Sequence, residues 1–472
     1  MRNFPPMFDD SQSSNEFIKR YEEMLQKDTQ YFFDVEEFEH IINYYTEKNL
    51  PKKALHAVNF GLNVHPTSTL LRLRNAQLLG AIGKLHRALE ELSELELLEP
   101  GNDEIFLTKA SILSQQRKHT DAIRYYEKAI ACCDEEFLDD IYIDLAFEYE
   151  NFNKYDEAIA ILHKALDINP ENETIVYELA YCYEITNRIK ESIRFYTSFI
   201  DQNPYSFIAW YNLGNAFCKN DEFDKGIEAY DYCLVINEEF ASAYFNKANA
   251  LMQQEKYEEA LAVFKESMEF EEPQAATCCF MGECYLKMDD LTTAFVHYKK
   301  SLEISPQFTE AWFGLGLVLM EQGNTLEAFS CIENAIEEDA ENTYFLAYYA
   351  DALAEQELYD KAIATYNLIL ELDQNDKEIW VKLADTTAKH VSLFDSLAVL
   401  AEALEIFPND VELVYRKAAY LHRLKAKNEA LEVLNDALTL DKKKYQVFLE
   451  YFEEDEITDD FRNLIEIHLD DD

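Results

Sequence analysis

The feature that most constrains this chain is a period. Ala54, Ala88 and Ala122 stand 34 residues apart, and Ala158 follows after a two-residue slip. Ser192, Gly226, Ala260, Ala294, Ala328, Ala362, Ser396 and Ala430 continue the series. Self-similarity at this period marks stacked helix-turn-helix units, none of which can bury its apolar stripe alone. The expected fold is therefore all-α, an array of helical hairpins in which each unit covers the next.

Laid out at that period, the chain gives twelve repeats beginning at Val35, Thr69, Asp103, Asp139, Glu173, Phe207, Ala241, Ala275, Thr309, Thr343, Lys377 and Val411. Position 4 is large in most, as in Phe106, Trp210, Trp312 and Trp380, with Arg72 the departure. Position 8 is small in all but the first, where Ile42 stands, and position 24 is bulky throughout. Positions 4, 7, 8 and 11 form one stripe of a first helix, and 20, 24 and 27 one stripe of a second. Small residues at 8 and 20 permit close approach of the two helices, and the large residues fill the space beside them. Proline at position 32, as in Pro66, Pro170 and Pro306, ends the second helix.

The segments "AWYNLGNAF" (209–217) and "YDEAIAILHKALDINP" (155–170) resemble the tetratricopeptide repeat family, and the resemblance extends over residues 35–444. It implies a right-handed superhelical solenoid whose first helices line a concave face. Residues 1–34 are expected to form a tail and capping helix, with Phe17, Tyr21 and Leu25 at helical spacing, and the first dozen residues frayed. Residues 445–472 are expected to close the array as acidic capping helices carrying Phe448, Phe452, Phe461 and Leu464.

With 92 acidic against 42 basic residues, the formal charge is −50. That field opposes nucleic acid and anionic lipid and favours basic partners. No secretory leader follows Met1, no apolar run is long enough to span a membrane, and nine scattered cysteines suit a reducing compartment. Cytoplasmic location is the expectation; oligomeric state is left open.

No catalytic constellation emerges. Gly314 and Gly316 lie inside a helical pattern rather than after a strand. Cys278, Cys279 and Cys284 with His297 lack the paired spacing of a zinc site. Adjacent carboxylates such as Glu135–Glu136, Glu271–Glu272 and Glu337–Glu338 fall at helix ends where water reaches both. Neither a cofactor nor a metal is indicated, and the expected function is non-enzymatic.

Positions 2, 5, 9 and 12 of the first helix lie opposite the packed stripe, on the side that the resemblance makes concave. They carry more apolar and aromatic residues than a merely solvated face requires. The candidate partner-binding residues are Tyr177, Tyr181, Tyr211, Asn212, Asn215, Phe245, Asn246, Asn249 and Phe313. Asn212 and Asn215 are matched one repeat later by Asn246 and Asn249, a donor–acceptor ladder suited to an extended peptide backbone. Acidic neighbours (Glu104, Asp140, Glu150, Glu184, Glu283, Asp351 and Asp385) point to a basic or amphipathic protein or peptide. A scaffold or adaptor gripping such partners in the groove is the leading expectation; a chaperone-like holder of basic or unfolded chains is the alternative.

Overall fold

The computed structural model describes residues 11–27, 31–270, 274–452 and 457–470. Among these residues every regular element is a helix. The chain divides into two bodies, Met1–Ala243 and Tyr244–Asp472, and the division falls within the helix Ala241–Gln253. The tail residues expected to fray, apart from the helical Ser11 and Gln12, and the pair Glu271–Glu272 lie outside the described residues.

First helices begin at Val35, Thr69, Asp103, Glu173, Phe207, Ala241, Ala275, Thr309, Thr343, Lys377 and Val411, as the period predicts. The fourth begins one residue early, at Leu138, because the 3-10 turn Glu135–Phe137 runs directly into it. Second helices begin at position 17 of each repeat, from Pro51 to Lys427. In each body the cores lie between the helices of a hairpin and between consecutive hairpins.

The close approach at positions 8 and 20 is direct. Every position-20 residue from Ala54 to Ala430 is buried. The Ser396 hydroxyl donates to the Ala384 carbonyl at 2.8 Å, joining position 20 to position 8 across the hairpin. A Cβ on Gly226 would sit 3.2 Å from the Gly214 carbonyl oxygen.

Two local devices escaped the sequence reading. Position 15 adopts a left-handed conformation in nearly every repeat, at Asn49, Gly83, Arg117, Asn153, Asn187, Asp221, Glu255, Asp289, Gly323, Glu357 and Lys425. There the chain reverses between its two helices, and the next residue's amide bonds back to position 11, as Leu50 does to Tyr45 at 2.8 Å. Repeat eleven departs because β-branched Val391 resists that conformation; its φ is −97° and Ser392 caps the following helix instead. The second device is the tryptophan at position 4. Trp210, Trp312 and Trp380 donate through Nε1 to the carbonyls of Pro204, Pro306 and Gln374 at 2.8–2.9 Å. Each indole thus ties the start of its repeat to the end of the preceding one.

The ends are covered. The helix Ser11–Lys27 packs Ile18, Tyr21 and Met24 inward, with Tyr21 and Met24 in the same core cluster as Phe38, Ile41 and Tyr45. Leu25, expected on the packed side, is exposed. Phe448, Phe461 and Ile465 cover the twelfth repeat around Ala418 and Leu434.

Gly214 provides a test of this packing. A Cβ there would fall 2.6 Å from the ring of Tyr230, a fully buried side chain. Gly214→Ala is expected to lose about 1–3 kcal/mol by overpacking. Gly101→Ala, which meets open space, should leave the urea midpoint unchanged.

Candidate partner-binding face

Position 5 is largely a packing position. Phe313 is only 5% exposed and stacks on Phe345 at 4.4 Å, with Tyr344 and Tyr348 on its flanks. Leu73, Ile143, Val381 and Tyr415 are also buried. Tyr211 is half-buried against Phe240 at 5.0 Å, and Phe245 against Phe280 at 5.3 Å. The physical reason is that the first helix of the following repeat packs against this side, as Phe345, Tyr344 and Phe280 do.

The asparagines are buried or half-buried. Asn212 is 6% exposed, and its Nδ2 finds no acceptor among the described residues. Asn215 accepts a 2.7 Å hydrogen bond from the hydroxyl of Tyr230. Asp351 stands at the same position as Asn215 and accepts from Tyr366 at 2.7 Å. In these two repeats position 9 therefore satisfies the hydroxyl of a position-24 tyrosine packed behind it. Asn246 and Asn249, half-buried, belong to the C-terminal body, and the Asn249 Oδ1 is buried without a partner among the described residues. Of the four amides, Asn215 is bonded within its own repeat and Asn212 is buried.

Tyr177 and Tyr181 are open. They are 41% and 46% exposed on one face of the helix Glu173–Ile185. Phe147, on the preceding first helix, is also exposed.

The acidic residues divide into neutralised and bare. Arg74 bridges Glu39 and Glu104 in the first three repeats. Lys382 binds Asp351 at 2.8 Å, and Lys219 binds Glu184 at 2.6 Å. Asp140 is exposed. Asp385 accepts from Tyr420 and, at 2.8 Å, from Tyr451, with Arg416 beside it. Tyr451 lies beyond the last repeat, so the chain itself occupies that part of the face.

Glu150 and Glu178 have no cation within ion-pair distance among the described residues. Burial raises the Glu150 carboxyl to about 7, with the Cys182 thiol donating to it at 3.2 Å and the Glu178 charge pushing it further up. Burial also raises Glu178. Glu283, half-buried in the C-terminal body, is raised for the same reason. Glu178, at position 6, carries a sequence signal of its own: an acid adjacent to Tyr177 and three residues before Tyr181.

Burial dominates the remaining titratable groups of the search for chemistry. Cys278, Cys279 and Cys284 are buried, and burial raises each thiol. His297 is lowered by burial and stacks on Tyr285 at 5.2 Å. No helix among the described residues is long and apolar enough to cross a membrane.

Three tetratricopeptide repeat profiles match the sequence. One covers residues 152–213 and 319–385, a second 73–136 and 211–270, and a third 275–308. No curated protein matches the chain. Among solved structures, the chain is similar to one in the Cut9–Hcn1 hetero-tetramer of APC/C, at 13% identity and a TM-score of 0.41. That match covers 85% of this chain and 92% of the other. A tetratricopeptide repeat protein from Parabacteroides merdae matches at 15% identity and a TM-score of 0.44, over 53% and 98% of the two chains. YrrB, described as having an unusual peptide-binding site, matches at 21% identity and a TM-score of 0.31, over 39% and 95%.

The environment of Glu150 has a measurable consequence. Between its ordinary 4.5 and about 7, the native carboxyl holds a proton that the unfolded chain has released. Stability from this group therefore falls as pH rises through that window, and the penalty is complete above it. Glu150→Gln keeps an acceptor for the Cys182 thiol. It should stabilise the fold at pH 8 and change it little at pH 4, read by urea melts at both.

Proposed function

Because this chain belongs to the tetratricopeptide repeat family, whose repeats act as protein-interaction scaffolds, we propose that it is a non-enzymatic adaptor. Its ligand is a basic or amphipathic protein segment, held on the first helices of repeats four and five. The observation that carries this reading is the pairing of exposed Tyr177 and Tyr181 with the uncompensated carboxylates of Glu150 and Glu178.

A lysine or arginine suits that surface on two counts. Its charge neutralises carboxylates that the fold leaves bare, and an aromatic face attracts a cation by about 0.5–2 kcal/mol. The formal charge of −50 adds long-range attraction that speeds encounter and weakens with salt.

The second reading, a holder of basic or unfolded chains, draws on the same net charge. A peptide array separates the two: an adaptor gives a few strong hits, and a holder gives many weak, salt-sensitive ones. Cytoplasmic residence completes the proposal.

Titration with a fluorescent lysine-rich amphipathic peptide tests the face. The double substitution Tyr177→Ala and Tyr181→Ala should weaken binding by about 1–2 kcal/mol, with helix content retained. Binding should release protons near pH 7, because a bound cation lowers the Glu150 carboxyl. Equal affinity of the double variant removes this face from consideration.

A further inference from the structure

Far from those tyrosines in sequence, repeats two and three carry an opposite arrangement. Lys109 occupies position 7 of the packed stripe, where most repeats are apolar, and it is almost fully buried. Its ammonium donates to Glu96 Oε2 at 2.5 Å and lies 3.4 Å from the Tyr125 hydroxyl. Lys128 binds the other oxygen, Oε1, at 2.7 Å. Burial would raise Glu96, but the two lysines hold it below the ordinary carboxylate range. No second carboxylate among the described residues lies within ion-pair distance of either ammonium. Two cations thus share one anion, in a chain with more than twice as many acids as bases.

The excess charge has a place to act. Lys128 is partly exposed and lies 5.3 Å over the Phe106 ring and 4.7 Å over Tyr125. Beside it is a cavity of about 650 Å³ lined by Leu97, Pro100, Phe106, Lys128, Ala131 and Cys132, among others. Leu97, at its rim, is 84% exposed. The other nearby cation, Arg124, stands 5.3 Å from the Tyr125 ring and pairs with Asp121.

We propose that this cavity is a second binding site, of opposite preference to the inner face, for an aspartate or glutamate flanked by a large apolar side chain in a partner protein. Lys128 spends one donor on Glu96 and has two others for the incoming carboxylate, while the apolar side chain covers Leu97, Pro100 and Phe106. A phosphate fits less well, because Glu96 on the cavity wall opposes a dianion that a single ammonium must hold.

Cys132 supplies the readout: it lines the cavity and is the one exposed cysteine. The full chain is treated with a thiol-reactive dye, with and without an acetylated, amidated Gly-Ser-Phe-Glu-Leu-Ser-Gly peptide, and a Cys132→Ser control fixes the background. The peptide should slow Cys132 labelling, and its glutamine counterpart should not. Lys128→Gln, which leaves the Lys109–Glu96 pair intact, should weaken the peptide about tenfold or more, the size of a lost charged hydrogen bond. Lys128→Arg should retain it. Labelling that the peptide does not slow, or that it slows equally in Lys128→Gln, overturns the proposal. Neither Tyr177 nor Tyr181 is involved, so this result is independent of the inner-face reading.

Discussion

The structure depends on how closely two helices of one hairpin approach where position 8 meets position 20. Alanine, glycine or serine at those places brings the backbones near enough for Ser396 to bond a carbonyl across the gap. That approach sets where the side chains at positions 4 and 24 can lie. It also fixes which residues are left to face outward. A larger residue at position 20 would separate the hairpin and displace every side chain that bridges it.

The inner surface follows from that geometry by subtraction. The position-24 tyrosines Tyr230 and Tyr366 reach through to position 9, so Asn215 and Asp351 serve the hydroxyls behind them. Position 6 cations such as Arg74 and Lys382 neutralise acids on neighbouring helices. In repeats four and five, Glu150 and Glu178 stand near the exposed Tyr177 and Tyr181 with no cation within ion-pair distance among the described residues. Charge distribution, more than hydrophobicity, distinguishes this stretch from the rest of the face.

The architecture was legible because it is periodic: a small residue every 34 positions fixes helix starts almost to the residue. Tyr177 and Tyr181 were legible as open aromatics for the same reason. The burial of Asn212 and Phe313 and the bond from Tyr230 to Asn215 were not legible, because helical spacing defines an angle on one helix and is blind to what packs at that angle. Phe313 shows this most clearly, being sealed by three aromatic residues of the next repeat. The left-handed turns left a faint signal in Asn153, Asn187 and Asp221, masked by Arg117, Glu255 and Lys425 at the same position. The Glu96 cluster was invisible to any rule based on period, since it is an exception to one.

Tyr451 gives the last two repeats a different standing from the others. Its hydroxyl bonds Asp385, and its ring packs on Tyr420 and lies beside the Arg416 guanidinium. The segment after the array thus covers that acid and that guanidinium with the chain's own aromatic ring. Without that ring the Asp385 carboxylate would keep, among the described residues, only the Tyr420 hydroxyl and the Arg416 guanidinium as polar neighbours.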